Sequence, residues 1–285
     1  MSIADFEIKG QFTPGLALPD SAGQIAWWFI FRGRQLLVDR RENQWLPVRT
    51  QKPHLLGMEL RHSHYLGHLD GTPVHCAEAV EGADPLAQDF VFMDLRTLHE
   101  RLPNDLFVLS WRAVQIVDWD RNHQYCGRCG SAMLISSRDR VKECAACGNK
   151  NFPRISPAVM VLVQRSGELL LARGPNFPAG FFSLVAGFVE PGETLETCVH
   201  REIKEEIGIT VTNIRYFGSQ PWPFPDSLMI SFIADYAGGE IQVDGQEIIE
   251  AAWYRPDDLP QIPGVVSLAG KMILWFIRRG SQASA

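Results

Sequence analysis

Runs of apolar residues mark the C-terminal half of the chain as a sheet covered by helices. Residues 158–163 form an uninterrupted apolar run, which is typical of a buried strand. A turn follows at 165–168, and the apolar residues 169–172 are predicted to pair back on that strand. The other predicted elements are strands at 181–185, 214–218, 229–236 and 250–254 and a closing helix at 266–278.

A different pattern over the first 120 residues predicts an α+β domain. Short apolar runs alternate here with turn residues, and one later segment is apolar at helical spacing. The predicted elements are strands at 25–30 and 35–38, a hairpin around Asp70-Gly71, a short helix at 94–102 and a helix at 111–119.

Histidines are concentrated in this N-terminal region. Alternating histidines can chelate a metal, but no third ligand type stands at a defined spacing from them. We interpret them as surface or core side chains, with a metal site as the alternative. They are His54, His62, His64, His68 and His75.

Composition places the chain among ordinary globular proteins. Of its 285 residues, 46% are hydrophobic and 21% are charged, which is enough apolar material for a core without disulfides. The net charge of −6 argues against a protein whose whole surface binds nucleic acid. No stretch approaches the roughly 20 apolar residues of a membrane span, and the first residues lack signal-peptide features. We therefore expect a soluble, cytoplasmic protein of about two domains that does not bind membranes.

Three glutamates share one predicted helix, which follows a turn at Pro191-Gly192. Glu202, Glu205 and Glu206 are spaced i, i+3 and i+4, so their carboxylates are expected on one side. That side also holds the apolar residues of the helix, which predicts that the acids point into the protein. Carboxylates held so close repel each other unless a cation lies between them. A hard divalent ion with oxygen ligands satisfies this need.

The spacing of this segment is that of a hydrolase motif. Residues 187–209 read Gly, five residues, Glu, seven residues, then Arg-Glu-Ile-Lys-Glu-Glu-Ile-Gly-Ile. The segment resembles the Nudix box at every defined position. The resemblance implies an α/β/α sandwich and Mg²⁺- or Mn²⁺-assisted hydrolysis of a nucleoside diphosphate linked to another group. The alternative is an acidic surface helix that matches the pattern by accident.

Four of the cysteines form two CxxC pairs, Cys126/Cys129 and Cys144/Cys147, with fourteen residues between the pairs. Each second cysteine is followed by glycine, which lets the backbone turn and direct its amides at the thiolates. Four soft ligands in this layout predict a closed, structural zinc site. A redox pair of CxxC motifs is the alternative. We interpret Cys76 and Cys198, which stand apart, as buried or inert thiols.

The cysteine segment is basic in an acidic chain. Between Arg121 and Arg154 the local charge is +5. Two interpretations stay open: a surface that binds a phosphate backbone, for which Arg138 and Arg140 are candidates, or a solvated rim.

A stiff aromatic segment follows the predicted box helix. Residues 219–227 read Ser-Gln-Pro-Trp-Pro-Phe-Pro-Asp-Ser, and the alternating prolines restrict the backbone. A stiff loop loses little entropy when a planar base docks between its rings, although such segments also cap cores. With a zinc ribbon before the box, the segment resembles the NADH pyrophosphatase (NudC-type) family of Nudix hydrolases. The resemblance covers residues 120–285, whereas the N-terminal domain resembles the family only in size and position.

The family resemblance implies roles for the residues that match its motifs. Catalytic carboxylates are implied at Glu202, Glu205 and Glu206, and ligands of Mg²⁺ or Mn²⁺ at Ala186, Glu202, Glu206 and Glu247. Structural roles in the box are implied for Gly187, Glu193, Arg201 and Gly208. The implied zinc ligands are Cys126, Cys129, Cys144 and Cys147. Substrate contacts are implied at Asp139, Phe152, Phe188, Gln220, Pro221, Trp222, Pro223, Phe224, Pro225, Asp226, Ser227 and Ala269. The family carries tyrosine at the position of Phe152 and glutamate at that of Asp139.

For the whole chain, the resemblance implies hydrolysis of the pyrophosphate of NAD(H) to NMN(H) and AMP. It also implies removal of the NAD cap from RNA, and a homodimer. We predict an α+β organisation with an N-terminal domain at 1–120, a zinc ribbon at 121–153 and a Nudix domain at 154–285. One alternative is a Nudix hydrolase of broader specificity, for ADP-ribose or dinucleoside polyphosphates. Another is a zinc-ribbon RNA-binding protein with an inactive Nudix fold.

Overall fold

The computed structural model of the protein describes residues 7–17, 23–41, 45–82, 84–85 and 87–283. The chain divides between Arg154 and Ile155 into two compact units. No helix in the described ranges is both long and apolar enough to cross a lipid bilayer.

The N-terminal unit is built on an extended sheet and one long helix. Its strands are β1 (Phe12–Pro14), β2 (Ala26–Arg32), β3 (Gln35–Asp39), β4 (Leu46–Thr50), β5 (Leu60–Leu69), β6 (Thr72–Ala79) and β7 (Phe90–Asp94), and helix α1 (Asn104–Asn122) follows. Their order in the sheet is β1-β5-β6-β2-β4-β3-β7, with β2 and β6 parallel. Helix α1 packs against β2, β5 and β6, and it buries Leu109 and Trp111.

Most of the elements predicted for this region are confirmed. The predicted hairpin at Asp70-Gly71 joins β5 to β6, and the predicted helix at 111–119 lies within α1. The predicted helix at 94–102 is wrong in extent, because only a 3₁₀ turn at Leu95–Leu98 forms. Pro103 sets the limit at the far end, because a proline disfavours helical backbone in the residue before it, here Leu102.

The cysteine segment adds a small sheet to the same unit. Its strands are β8 (Met133–Ile135), β9 (Lys142–Cys144) and β10 (Lys150–Asn151), in the order β10-β9-β8. A buried polar cluster joins this sheet to the larger one. Lys142 on β9 donates to the backbone carbonyl of Asp120 at 2.9 Å and forms an ion pair with its carboxylate. His64 on β5 contacts the same carboxylate at 2.7 Å.

The charges of this cluster are well compensated. Lys142, Asp120 and His64 are 1%, 3% and 8% exposed. Burial alone would raise the pKa of Asp120, but hydrogen bonds from His64 and Lys142 outweigh burial and hold that pKa well below its usual range. The cluster therefore depends on all its members, since a buried charge is tolerated only when it is paired.

The C-terminal unit is a sheet between two helices. Its elements are β11 (Ser156–Arg165), β12 (Glu168–Arg173), β13 (Val185–Phe188), α2 (Leu195–Ile207), β14 (Thr210–Trp222), β15 (Ser227–Gly238), β16 (Glu250–Tyr254) and α3 (Leu268–Ala283). The sheet order is β14-β15-β11-β12-β16, with β13 also paired to β11. Strands β11 and β15 are parallel, and the other pairs are antiparallel.

Alternation along β11 decides which helix covers each face. Val159, Val161 and Val163 pack with α2 residues in one core, whereas Leu162 packs with α3 residues in the other. Because side chains on a strand alternate between faces, the apolar run at 158–163 can fill both cores. The α/β/α sandwich and the α+β class expected from the sequence are confirmed.

One strand prediction in this unit is wrong in position. The strand expected at 181–185 lies at Val185–Phe188, where it pairs with β11. The residues before it bend away, because Ser183 bridges Ala172 of β12 and Phe181 bridges Gln261 instead. The strand predicted at 214–218 is much longer, since β14 continues through the Pro-rich segment to Trp222.

The two large sheets share a pattern of connections. Strand β2 pairs with β3, β4 and β6 in the same orientations in which β11 pairs with β12, β13 and β15. Likewise β7 pairs with β3 as β16 pairs with β12, and a helix follows each. The described segment between β4 and β5 holds only a 3₁₀ turn at Pro53–Leu56, where the C-terminal unit has α2. The N-terminal unit thus repeats this part of the C-terminal sheet without a helix at the position of α2.

Replacing Lys142 by methionine should destabilise the N-terminal unit by about 3 kcal/mol, because it leaves the Asp120 carboxylate buried without its ammonium partner. The free energy of unfolding in urea, followed by tryptophan fluorescence and circular dichroism, measures this. Lys150→Met is the matched control, since Lys150 pairs with Glu143 on the surface of the same small sheet. That change should cost less than about 1 kcal/mol, and equal losses in the two variants would contradict the prediction.

Candidate active site and zinc centre

Helix α2 begins after a threonine cap and ends at Gly208. The hydroxyl of Thr194 accepts a hydrogen bond from the amide of Thr197 at 3.2 Å and caps the first turn. Gly208 ends the helix in the left-handed conformation, with φ of 84°. These two residues fix where α2 begins and ends. The buried apolar side of the helix sets its rotation about its own axis.

Two of the three box acids on α2 point into the protein. Glu202 is 7% exposed and Glu206 is 5% exposed, so the prediction of inward carboxylates is correct for them. For Glu205 it is wrong, because its side chain is 60% exposed and accepts a hydrogen bond from Arg201 at 3.1 Å. At about 100° per residue, Glu205 lies on the edge of the arc nearest Arg201 and turns to that cation.

Gly187 makes room for the Glu202 carboxylate. A Cβ atom at position 187 would lie 1.9 Å from the carboxyl carbon of Glu202. Any larger residue would therefore displace that side chain or the strand. The box glycine is required for the close approach of β13 to α2.

Arg201 holds the loop before the helix against the helix itself. Its Nε donates to Glu193 at 2.8 Å, one Nη donates to the other oxygen of Glu193 at 2.9 Å, and the second Nη donates to Glu202 at 2.8 Å. This two-pronged bond from Arg201 lowers the pKa of Glu193 to about 2. An additional bond to the carbonyl of Phe188 at 2.9 Å fixes the end of β13.

Negative charge accumulates around Glu206. Burial, followed by the nearby carboxylates of Glu202, Glu247 and Asp244, raises the pKa of Glu206 to about 8. Asp244 accepts from the amides of Glu247 at 2.9 Å and Ile248 at 2.8 Å, and these amides lower its pKa. Asp244 thus orders the turn that carries Glu247. It was not foreseen from the sequence, although Asp244-Gly245 is a turn signal.

A cavity of about 530 Å³ lies beside these acids. Glu206 and Glu247 line it together with the predicted metal ligand Ala186 and the predicted substrate contacts Trp222 and Ala269. Most of the remaining lining is apolar. One cavity therefore brings together residues from β13, α2, the β15–β16 region, β14 and α3.

Two aromatic residues of this cavity were missed by the sequence analysis. Phe177 and Phe181 line it, and their rings pack at a centroid distance of 5.2 Å. The carbonyl of Phe177 accepts a hydrogen bond from Arg173 at 3.4 Å. Their segment, Pro-Asn-Phe-Pro-Ala-Gly-Phe at 175–181, has no periodicity that would have shown where the rings point.

The other predicted substrate contacts fall into three groups. Phe188 beside the box is 57% exposed. In the Pro-rich segment, Trp222 and Phe224 pack edge to face at 5.3 Å. The segment's buried members are Gln220, Pro223 and Ser227, its half-buried members are Phe224 and Asp226, and its exposed members are Pro221 and Pro225. Asp139 and Phe152 lie in the N-terminal unit, where both are exposed.

The donor set around Glu206 suits a hard divalent cation. Glu202, Glu206 and Glu247 offer carboxylate oxygens, and the mutual repulsion of the buried pair is relieved when a cation lies between them. Within the described chain no group of three ligand atoms other than the cysteines lies within 4.8 Å of one another. Glu206 and Glu247 therefore line one cavity, and Glu202 is buried beside Glu206, but the three carboxylates do not form a closed cage.

The cysteines form a compact sulfur cluster. The ligand atoms of Cys126, Cys129, Cys144 and Cys147 all lie within 4.8 Å of one another. Sγ of Cys126 lies 3.6 Å from that of Cys147, and Sγ of Cys129 lies 3.5 Å from that of Cys144. Zn–S bonds of about 2.3 Å in a tetrahedron give sulfurs about 3.8 Å apart, so the cluster fits structural zinc.

The backbone around the cluster follows the expected design. Gly130 and Gly148 have φ of 75° and 69°, and their amides donate to the carbonyls of Cys126 and Cys144. The amide of Arg128 points at Sγ of Cys126 at 3.4 Å and is the main cause that lowers the pKa of this thiol to about 6. Cys76 and Cys198 are fully buried, as predicted.

Several basic side chains of the cysteine segment are engaged within the unit. Arg140 donates to the carbonyls of Gly15 at 2.9 Å and Tyr65 at 3.1 Å, so it is a structural residue and not a candidate for binding RNA. Lys142 is buried against Asp120. Ion pairs also engage Arg121 and Lys150, whereas Arg128 and Arg138 are exposed.

The N-terminal histidines form no metal group among the described residues. His64 belongs to the buried Asp120 cluster, and His75 stacks on Trp28 at a centroid distance of 4.5 Å. His68 contacts the hydroxyl of Tyr65 at 2.5 Å. These three histidines are thus engaged in contacts within the N-terminal unit.

Comparison with known families agrees with this architecture. Residues 154–276 match the model of the NUDIX domain, and residues 25–119 match that of the NADH pyrophosphatase-like rudimentary NUDIX domain. Residues 121–152 match the NADH pyrophosphatase zinc ribbon domain. The fold and the box therefore define a Nudix hydrolase.

Similarity to individual proteins shows which family of Nudix hydrolases the chain belongs to. The chain is 43% identical to the NAD-capped RNA hydrolase NudC of Chromobacterium violaceum over 94% of this chain and 95% of that protein. It is 45% identical to the protein of the same name from Stutzerimonas stutzeri over 75% and 77% of the two chains. A NUDIX hydrolase structure from Nitrosomonas europaea is 22% identical, covering 56% of this chain and 93% of that one with a TM-score of 0.48. The chain belongs to the NudC-type family of Nudix hydrolases.

Replacing Cys144 by serine should abolish stoichiometric zinc, because three remaining thiolates and a hydroxyl no longer make a closed soft-ligand site. Mass spectrometry of the metal content of the purified protein measures this. Cys198→Ala is the control and should keep its zinc, since Cys198 lies in the other unit. Full zinc content in the Cys144 variant would contradict the assignment.

Proposed function

We propose that this protein hydrolyses the pyrophosphate bond of NAD(H), giving NMN(H) and AMP, and removes the NAD cap from RNA to leave a 5′-monophosphate. The observation that carries the proposal is the cavity in which Glu206 and Glu247 meet aromatic and apolar side chains. A dinucleotide has the matching parts, a charged pyrophosphate between planar rings. Relatives that align over nearly the whole chain are named NAD-capped RNA hydrolase, which supports the same substrates.

Mg²⁺ or Mn²⁺ is part of this proposal. When bound, such an ion would neutralise the negative charge of the phosphate oxygens and lower the pKa of a water molecule bound to it. Glu202, Glu206 and Glu247 would hold it, with the carbonyl oxygen of Ala186 as a neutral ligand. The burial of Glu202 and Glu206 beside each other supports this assignment, because two buried carboxylates without a cation are costly.

Two further roles fall to side chains of the protein: acceptance of a proton and contact with the bases of the substrate. Of the two carboxylates that could accept the proton of the attacking water, Glu206 lines the cavity, whereas Glu205 faces solvent and is bonded to Arg201. We therefore assign proton acceptance to a carboxylate oxygen of Glu206. Trp222, Phe177 and Phe181 provide flat apolar walls on which a base can lie.

The division into an N-terminal domain, a ribbon and a Nudix domain with boundaries at 120/121 and 153/154 belongs to the proposal. The spans of the matched family models, which end at 119 and 152, support these boundaries. A homodimer is proposed from the family resemblance, and sedimentation velocity of the purified protein measures it.

Replacing Glu206 by glutamine should lower kcat for NADH by on the order of 10²–10⁴-fold, because the amide neither accepts the proton nor ligates a hard cation well. The assay incubates the protein with Mn²⁺ and, in parallel, NADH, ADP-ribose and NAD-capped RNA, and resolves the products. NMNH with AMP and 5′-monophosphate RNA are expected from the wild type. Preferred turnover of ADP-ribose would instead favour the hydrolase of broader specificity.

Glu196→Gln is the matched control for this change. Glu196 lies on the exposed side of the same helix, so its replacement should alter kcat less than about twofold. A Glu206 variant as active as the Glu196 variant would contradict the assignment of the active site. Retained RNA binding by a wild type that hydrolyses none of the substrates would favour the RNA-binding alternative.

Gly187→Ala should reduce kcat on the order of 10²-fold, because the added methyl group occupies the place of the Glu202 carboxylate. Titration with Mn²⁺ followed by electron paramagnetic resonance should show weaker binding in the same variant. Gly127→Ala is the control, since a Cβ at that position meets open space. Unchanged turnover and Mn²⁺ affinity in the Gly187 variant would show that the position of Glu202 is unimportant.

A further inference from the structure

Gln220 is the buried member of the Pro-rich segment whose amide is engaged at both ends by the protein. It is 0% exposed. Its Nε2 donates to the carbonyl of Val266 at 2.9 Å, and its Oε1 accepts from Nζ of Lys271 at 3.3 Å. With both ends of its amide occupied, Gln220 bonds the segment that precedes α3 instead of presenting its amide to the cavity.

That segment forms one wall of the cavity, which we call the α3 wall and define as residues 263–269. Apart from residue 265, each of these residues lines the cavity. The α3 wall is folded tightly on the first turn of α3: the amide of Ser267 donates to the carbonyl of Gly264 at 3.1 Å, and its hydroxyl accepts from the amide of Gly270. A Cβ at position 270 would lie 2.2 Å from the carbonyl oxygen of Gly264.

Lys271 is a buried cation directly behind this wall. It is 4% exposed, and the neighbouring residues of α3, Met272 and Ile273, belong to the hydrophobic core. Burying an ammonium group in such surroundings is costly unless its hydrogen bonds are well made. The ammonium of Lys271 therefore needs a hydrogen-bond acceptor, and Oε1 of Gln220 supplies one.

We propose that Lys271 is a positioning residue for the substrate cavity, which acts through Gln220 on the carbonyl of Val266 and so holds the α3 wall in place. The ammonium fixes the orientation of the Gln220 amide, because its Oε1 must then face the cation and its Nε2 must face Val266. Neither Lys271 nor Gln220 is among the residues that line the cavity. The contact between the α3 wall and NAD(H) rests on the proposed function, whereas the link from Lys271 to Val266 does not.

The first test uses Lys271→Met, which keeps the length and the apolar stem but removes the donor. Amide hydrogen exchange of peptides that cover residues 264–270 should become about tenfold faster, and KM for NADH should rise about tenfold with kcat changed less than about twofold. Gln220→Leu should have the same two effects. In the double variant the effects should not add, because both changes break the same chain of hydrogen bonds.

Arg278→Met is the matched control, since it removes an exposed positive charge from the same helix. It should alter neither the exchange of the α3 wall nor KM. Unchanged exchange in Lys271→Met, or additive effects in the double variant, would overturn the proposal. Should Lys271→Met not fold, Gln220→Leu decides alone: normal exchange of residues 264–270 in that variant overturns the proposal equally.

The exchange measurement also separates this inference from the proposed function. If the wild type hydrolysed no NADH, the proposed function would fail, while faster exchange of the α3 wall in both variants would still support the chain from Lys271 to Val266. If the wild type is active and exchange rises without a change in KM, the α3 wall does not contact the substrate. That result overturns the role of Lys271 in the cavity.

Discussion

The burial of two adjacent carboxylates on α2 is the constraint on which the catalytic unit depends. Glu202 and Glu206 occupy the helix face that packs on the sheet, where apolar side chains would be more favourable. Their placement requires Gly187 on the facing strand, because a Cβ there would occupy the position of the Glu202 carboxylate. It also requires Arg201, which binds Glu193 and Glu202 together and so fixes loop and helix. The residues of the box thus keep uncompensated charge next to a cavity, at a cost in stability.

The N-terminal unit shows what the same connections give without this constraint. Its sheet repeats the pairings of the catalytic sheet, but the described segment between β4 and β5 is a 3₁₀ turn instead of an acid-bearing helix. Its buried charges are fully paired: Asp120 has both Lys142 and His64, whereas Glu206 has carboxylates as neighbours. In the N-terminal unit, the paired charges of Asp120 and Lys142 join the small sheet to the larger one. In the C-terminal unit, the carboxylates around Glu206 repel one another, and a bound cation would relieve this repulsion. The two units therefore differ in their buried charges, which are paired with opposite charges in the N-terminal unit and lie beside like charges in the C-terminal unit.

The sequence predicted best those features that local spacing determines. The zinc cysteines, the end of α2 at Gly208 and the inward direction of Glu202 and Glu206 follow from residue type and helical period, and the structure has them. Features that depend on tertiary partners were not predictable. Arg140 appeared to belong to a basic surface, yet the carbonyls that bind it come from residues 15 and 65. Glu205 was assigned to the inward face, although a neighbouring arginine turns it to solvent. Phe177 and Phe181 were overlooked because a loop carries no periodicity that would show where its side chains point.

The cavity also shows why a motif predicts chemistry more reliably than it predicts contacts. The acids of the box come from one helix, so their spacing along the chain determines their spacing in the site. The apolar walls come from separate loops, from β14 and from the start of α3, and their positions depend on bonds such as the one between Gln220 and Val266. A polar residue near such a wall can serve the wall itself, as the fully buried amide of Gln220 does here. The box therefore fixes the placement of the acids, whereas the shape of the cavity depends on residues outside the box.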